Sequence, residues 1–303
     1  MRDLYTSTES DAESDKNERW IQSEFEDPGL EAIEKVAEGR QLKPIDWNRL
    51  AWYAFIQDRR TPASFAESMK RNEKLVPEVM ERVLSDFASG RAKTLRPRGI
   101  ADAPNPFEDC FRIQVRRRSG CAEVEAEVTN GRRLWLNNVR YATRPEGPIK
   151  NCCEHKWSVA EAADGADWLT SDHPIIRLNY YRPGEYDFGG GWGNPGTELL
   201  LPLTPRYLLY TRVGQKSEPR FTCSRDQTRI IQKWLAERAS RWIFATGQIA
   251  NIAELRDRTV DPAAFAQQEG FVRNWATEQN RGEAEWQGGL SDKHRGGRPP
   301  DES

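Results

Sequence analysis

The spacing of apolar residues changes once along the chain, near residue 100, and this change restricts the folds open to it. Between residues 25 and 87, apolar residues recur every three or four positions, which is typical of helices with one buried face. After residue 107, apolar and polar residues alternate, as at 111–115 and 122–128, which favours strands. Helices followed mainly by strands, with one late helix, predict an α+β fold whose sheet is mainly antiparallel.

Three helices are predicted before residue 90, at 25–37, 44–58 and 63–87. Gly39 is expected to stop the first, and Pro77 to break or kink the third. Between 133 and 153 the pattern does not separate a helix from a strand. Later in the chain we expect strands, a helix that begins at Ser224 or Asp226, a closing strand at 242–245 and a last helix at 261–279.

The composition along the chain predicts its division into segments. We expect a flexible acidic segment at 1–17, a helical part at 18–90, a sheet-containing part of the same domain at 107–245, a C-terminal helical extension at 246–279 and a disordered tail at 280–303. The tail is rich in Gly, Pro and charge, which disfavours a packed core.

Composition and charge exclude several functional classes. The net charge of -2 provides no overall positive field for nucleic acid or an anionic membrane, and no apolar run approaches the roughly 20 residues that cross a bilayer. The N-terminus lacks the apolar core of a signal peptide. The five cysteines are scattered and odd in number, which argues against a disulfide framework. We therefore expect a soluble cytoplasmic protein with no membrane partner.

The densest polar motif is Thr-Ser-Asp-His-Pro at 170–174, between two apolar runs. Polar residues between strands are a common place for chemistry, so Asp172 is a candidate general base or metal ligand, assisted by His173 as a second catalytic residue. Ser171 is a candidate binding residue. The alternative is that Ser171 and Asp172 form a side-chain-to-backbone turn that bends the strand, and the sequence favours this alternative.

The run Cys152-Cys153-Glu154-His155 is a second candidate. Cys152 and His155 are three residues apart, so on a helix they would share a face and could hold a soft metal. The spacings of a structural zinc site are missing. A divalent metal held by Asp172 or His155 is therefore allowed but not favoured, and a nucleophile that pairs Cys152 or Cys153 with His173 is equally disfavoured.

A glycine-rich stretch at 184–196 contains Tyr186, Asp187 and Trp192. These residues are candidates for ligand binding, either as a flexible lid or as a platform on which a base or sugar stacks. Its spacing fits neither a phosphate loop nor a dinucleotide fingerprint. The alternative is a long hairpin loop pinned by its own aromatic residues.

The arginine-rich run at 112–118 could follow the phosphates of nucleic acid. Its alternation with apolar residues favours the solvent face of a strand, where charge also protects the edge from pairing. A nucleic-acid partner is therefore only weakly supported.

Several motifs resemble those of a largely bacterial family called domain of unknown function 4238. They are Glu18-Arg19-Trp20, Leu30-Glu31-Ala32-Ile33-Glu34, the helix end Phe55 to Pro62, Trp168-Leu169-Thr170-Ser171-Asp172-His173-Pro174, and Leu201-Pro202-Leu203-Thr204-Pro205. The resemblance covers about residues 18–245 and implies a fold and a site, with a role for Gln57 and Arg60, but no activity. Such families typically begin with His-x-x-Pro; no His precedes His155 here, so we expect that segment to be lacking.

Two functional hypotheses follow. The first is a hydrolase-like enzyme, metal-dependent or not, that acts on a nucleotide or nucleic acid and is centred on Asp172. The second is a non-enzymatic recognition module that uses the Gly/aromatic loop and the Arg-rich strand. The sequence contains no complete catalytic constellation. We prefer the enzyme, because the polar motif and the glycine loop are close neighbours in sequence.

Overall fold

The computed structural model describes residues 16–88, 110–118, 121–128 and 131–247, together with Leu255. The predicted helix at 261–279, the predicted tail and most of the acidic N-terminal segment lie outside the described residues. The chain divides into two compact units. One contains 1–17, 67–138 and 260–303, and the other contains 18–66 and 139–259.

The N-terminal part is helical, as predicted. Its elements are α1 (Lys16–Ile21), a π-helical segment (Gln22–Glu26), α2 (Asp27–Ala37), α3 (Pro44–Arg59) and α4 (Pro62–Ala88). Gly39 follows α2 with a φ of 69°, a conformation that suits glycine at a helix end. The predicted break at Pro77 is wrong, because α4 runs through it. Proline removes only its own N–H, and the hydrogen bonds on either side hold a helix of this length together.

The unit that contains 67–138 has a two-stranded antiparallel hairpin of β1 (Phe111–Arg118) and β2 (Cys121–Val128). In its register Arg112 pairs with Glu127, and Arg116 pairs with Glu123. Residues of opposite charge at paired positions favour hairpin pairing.

The other unit is built on a six-stranded sheet in the order β6-β5-β7-β8-β3-β9. All its pairings are antiparallel except that of β3 with β9. The strands are β3 (Ser158–Glu161), β5 (Ile176–Arg182), β6 (Glu185–Asp187), β7 (Glu198–Pro202), β8 (Tyr207–Arg212) and β9 (Arg220–Thr222). A separate short pair joins β4 (Thr170–Ser171) to β10 (Ile243–Phe244).

Three further helices complete the described elements: α5 (Gly131–Ala142), α6 (Ile149–Glu154) and α7 (Arg225–Arg238). The first two occupy the stretch that the sequence pattern left undecided. Helix α7 is the predicted late helix, and of the two proposed N-caps it uses Ser224, whose hydroxyl accepts the Gln227 N–H at 3.2 Å. The α+β fold class is therefore confirmed.

The central sheet is covered on both faces. On one face Leu178 and Leu200 pack with Trp234 and Leu235 of α7 in one buried cluster. On the other face Arg177 reaches Asp58 of α3, and Arg220 donates to the Val36 carbonyl at the end of α2. Consecutive strand residues point to opposite faces of the sheet. Because both faces are covered, the consecutive residues Leu199, Leu200 and Leu201 are all buried.

Candidate functional site

A polar cleft of about 460 Å³ lies where the end of α3 meets the Thr-Ser-Asp-His-Pro turn. Gln57 and Arg60 line it from the helix side, and Ser171 and Asp172 line it from the turn. These four residues were candidates on the sequence, and more than a hundred positions separate the two pairs. Folding brings them to one concavity.

Glu26 lies at the centre of the polar contacts on the helix side. Arg60 forms an ion pair with its carboxylate, and Gln57 Nε2 donates to Glu26 Oε1 at 3.2 Å. Glu26 ends the π-helical segment, a rare distortion that often occurs at functional sites. Tyr53 adds an aromatic wall, and burial raises the pKa of its phenol, so the phenol stays protonated at neutral pH.

Asp172 ties the turn to the segment that follows α7. Its Oδ1 accepts the Ser240 N–H at 2.9 Å, and its Oδ2 accepts the Arg241 N–H at 2.8 Å. Its own N–H donates to the Trp242 carbonyl, and the His173 N–H donates to Ser171 Oγ. These contacts are those of the turn alternative, in which the two polar side chains serve the backbone.

His173 does not line the cleft with its neighbours Ser171 and Asp172. Its side chain is buried, and its Nε2 lies 3.1 Å from Arg238 Nη2. Because a guanidinium can only donate, this Nε2 accepts and the ring proton lies on Nδ1. In this arrangement His173 is held by α7 rather than presented to a ligand beside Asp172.

His155 and the adjacent cysteines have other partners. Helix α6 ends at Glu154 and His155 is extended, so His155 and Cys152 do not share a helical face. His155 Nε2 lies 2.7 Å from the Trp192 carbonyl. Burial raises the pKa of Cys152 to about 12, which keeps this thiol protonated. Within the described residues, no three His, Cys, Asp or Glu side chains are grouped as metal ligands.

The glycine-rich stretch forms a hairpin and loop whose rings are anchored to the fold. The Tyr186 hydroxyl donates to Glu237 at 2.6 Å. Asp187 accepts from Asn179, Tyr181 and the Gly189 N–H. Trp192 is buried 5.2 Å from the Phe55 ring. The structure brings none of Tyr186, Asp187 and Trp192 to the cleft.

Sequence reasoning missed Asp58, which is buried at the end of α3 with 3% of its surface exposed. Trp192 Nε1 donates to Asp58 Oδ2 at 2.8 Å, and Arg177 Nη1 lies 3.4 Å from the same oxygen. Asp58 thereby fastens the glycine loop and β5 to the helix that carries Gln57 and Arg60. Its position one turn after the apolar residues Ala54 and Phe55 places it on the same helical face and could have indicated that it is buried.

The family model described as Protein of unknown function (DUF4238) matches residues 1–248. The chain belongs to this family. The match contains all five segments that carried the resemblance, and therefore both walls of the cleft. None of the curated proteins and none of the solved structures compared with this DUF4238 chain gave a match. Among the helices of the described ranges, none combines the length and apolar character required to span a membrane.

Replacing Asp172 with Ala is expected to lower the free energy of unfolding of this DUF4238 protein by about 2 kcal/mol, because two backbone N–H groups lose a charged acceptor. Asp172→Asn keeps one acceptor oxygen and should lose about half as much. Urea denaturation of the three proteins measures both values. Equal stability of Asp172→Ala and wild type would contradict the turn role.

Replacing Gly190 with Ala is expected to cost about 2 kcal/mol of stability, through overpacking. An added Cβ would lie 2.6 Å from Thr197 Cγ2 and 2.8 Å from the Arg177 carbonyl oxygen. Gly193 in the same loop is the matched control, because nothing lies within 4 Å of its added Cβ. Thermal unfolding should show a lower Tm for Gly190→Ala alone, and equal Tm values in both variants would contradict the loop packing.

Proposed function

We propose that this DUF4238 protein binds a small, polar molecule of nucleoside or sugar size in the cleft between the end of α3 and the Thr-Ser-Asp-His-Pro turn. The observation that carries the proposal is the convergence of Gln57 and Arg60 with Ser171 and Asp172 on one concavity. Its volume of about 460 Å³ falls within the range of small-molecule sites, roughly 300–1,000 Å³.

The charges in the cleft disfavour an anionic ligand, because Asp172 adds a second carboxylate to the pair of Arg60 and Glu26. Arg60 and Glu26 balance one another, with 29% and 22% of their side chains exposed. Each keeps hydrogen-bonding capacity beyond this pair, since a guanidinium has five N–H donors and a carboxylate about four acceptor sites. A ligand with a donor beside an acceptor, such as an amide edge or a pair of hydroxyls, satisfies both.

The apolar side of the cleft supports a ligand that also has a ring. Tyr53, Leu30 and Pro174 line the same concavity as the charged pair. A flat base or a sugar face can pack on such a surface while its polar edge meets Glu26 and Gln57. Nucleosides and sugars combine these two features, which is why they define the proposed class.

Hydrolysis of that ligand is the second candidate function, favoured by the presence of two carboxylates, Glu26 and Asp172, in one cleft. Asp172 uses both oxygens to accept backbone N–H groups. We therefore assign the general base to Glu26, which would take a proton from the water that attacks C1′ of a nucleoside and return it to the nucleobase as the N-glycosidic bond breaks. This assignment moves the chemical role from the turn to the π-helical segment.

Saturation-transfer NMR with a panel of ribonucleosides and monosaccharides tests binding. We expect at least one panel member to bind the wild type, and Gln57→Leu to weaken it by about tenfold, the effect of losing one useful hydrogen bond. Gln215→Leu, on an exposed turn, is the matched control and should bind normally. No binding by any panel member, or equal loss in both variants, would overturn the proposal.

Release of free base from bound nucleosides tests the hydrolase version. Glu26→Gln should abolish the release while the ligand still gives a transfer signal. If the wild type binds a nucleoside but releases no free base, the hydrolase proposal is wrong and ligand recognition remains the proposed function.

A further inference from the structure

A second cavity of about 490 Å³ lies between α7 and the sheet. Its walls include four aromatic rings from separate elements: Tyr180 on β5, Tyr210 on β8, Phe221 on β9 and Trp234 on α7. It shares no lining residue with the polar cleft. It therefore forms a distinct site that neither functional hypothesis uses.

The rings are fixed in pairs. Tyr180 and Trp234 meet edge to face with centroids 6.1 Å apart, and Tyr210 and Phe221 do so at 5.8 Å. Edge-to-face pairs are a favoured geometry of aromatic contacts. The cavity is thus bounded by rings whose orientation is set before any ligand arrives, which lowers the ordering cost of binding.

One wall of the cavity carries negative charge. Glu198 begins the central strand β7 with 15% of its side chain exposed, and Glu218 lines the same space. Arg212 pairs with Glu198, with its Nε 3.9 Å from Glu198 Oε1, but it does not line the cavity. A ligand inside the cavity therefore meets two carboxylates and the aromatic rings.

We propose that this cavity binds a small organic ammonium ion whose cationic nitrogen carries alkyl groups. Aromatic rings attract such a cation through their quadrupoles. Glu198 and Glu218 add complementary negative charge, of which Arg212 offsets only part. The alkyl groups suit the apolar walls formed with Ile230 and Ile231. A strongly hydrated inorganic cation would lose its water there and find few oxygen ligands. A neutral apolar ligand would leave Glu198 further from water, with Arg212 at 3.9 Å as its partner.

Glu198 also provides the pH dependence of the site. Burial raises the pKa of Glu198, and Arg212 opposes this shift. Tyr210 stands beside it on β8, and its own pKa is raised to about 12 by burial and by the Glu198 charge. A bound cation favours the ionised form. Ammonium binding should therefore be strongest above the raised pKa and weaken as pH falls through it.

Without a ligand, the stability of the folded protein depends on the protonation of Glu198 in the opposite direction. Because the folded pKa lies above the unfolded one, the folded state binds the proton more tightly. The stability due to protonated Glu198 is present at acid pH and is lost as pH rises from the unfolded pKa through the folded pKa. Glu198→Gln removes this loss, so its Tm at neutral pH should equal or exceed that of the wild type.

Calorimetric titration with choline and with its neutral isostere 3,3-dimethylbutan-1-ol tests the proposal. We expect choline to bind the wild type about tenfold more tightly than the isostere. Glu198→Gln, whose folding the Tm measurement checks, should reduce choline binding to the level of the isostere, and Tyr180→Leu, at a ring that is 37% exposed, should weaken both ligands. Glu185→Gln, in an exposed ion pair with Arg182, is the control and should bind choline normally.

Three outcomes would overturn the proposal: no choline binding, equal binding of choline and the isostere, or unchanged choline affinity in a folded Glu198→Gln. Because the cavity and the polar cleft share no lining residue, Gln57→Leu should leave choline binding unchanged. A failure of the nucleoside and sugar panel therefore says nothing against the ammonium site, and the reverse also holds.

Discussion

Replacing Asp58 with Leu is expected to lower the free energy of unfolding by about 4 kcal/mol, the scale for removing one partner of a buried ion pair. The change takes the hydrogen-bond acceptor from Trp192 Nε1 and the carboxylate from beside Arg177. Trp192 stays buried and Arg177 only 20% exposed, so water replaces the lost carboxylate poorly. Urea denaturation followed by tryptophan fluorescence measures the change.

Asp164→Ala is the matched control for Asp58. Its side chain is fully exposed, although it also faces an arginine, Arg206, at 3.8 Å. An exposed pair of this kind contributes little to stability, because water and salt screen it. Similar losses in Asp58→Leu and Asp164→Ala would contradict the burial argument, and so would a stable Asp58→Leu protein.

Replacing Trp192 with Ala is expected to cost about 4 kcal/mol, the usual scale when a buried aromatic residue is truncated. Trp192 packs edge to face on Phe55, contacts the Trp157 ring and is 8% exposed. The variant should unfold at a markedly lower urea concentration than the wild type. Trp242→Ala is the control, since 63% of Trp242 is exposed and surface changes usually stay within about 0.5 kcal/mol. Equal losses in the two variants would contradict the anchoring of the glycine loop.

The double variant Asp58→Leu with Trp192→Ala shows whether the two residues act as one unit. Residues that share a hydrogen bond should not be additive, and the double variant should lose less than the sum of the single variants. Strict additivity would mean that the hydrogen bond between them contributes nothing.

The helices of the N-terminal part could be predicted because each has several turns of regular apolar spacing. Helix α6 could not, because it is only six residues long and follows Gly147 and Pro148, so too few turns carry the pattern. The prediction of a helix break at Pro77 was wrong for a related reason. The proline is visible in the sequence, but the stability of the helical turns on either side of it is not.

The sequence predicted only part of the candidate site. Gln57, Arg60, Ser171 and Asp172 were named because they fall within short motifs. Glu26 and Tyr53 were not, because their place in the cleft depends on how the π-helical segment and α3 pack. Asp58 was missed for another reason: a carboxylate followed by Arg59 and Arg60 resembles a solvated helix end, and this outweighed its position one turn after Ala54 and Phe55. Its role follows from its contacts with the buried Trp192 and with Arg177.

The ammonium cavity was beyond sequence reasoning altogether. Its rings come from three strands and a helix, and in the sequence each ring is typical of an ordinary core residue. Glu198 follows the glycine-rich loop, and a charged residue next to a loop is expected to be exposed. Only the strand register, which pairs Glu198 with Arg212 and Leu178, places this carboxylate inside the sheet.

The central claim is that the polar cleft receives a small ligand, and ¹⁹F NMR of the protein labelled with 3-fluorotyrosine tests it most directly. The chain has eight tyrosines; Tyr53 lies in the cleft, and Tyr180 and Tyr210 lie in the aromatic cavity. Loss of one resonance in each Tyr→Phe variant assigns them. We predict that a nucleoside or sugar of the panel shifts Tyr53 and leaves Tyr180 and Tyr210 unchanged. An unmoved Tyr53 throughout the panel would contradict the claim.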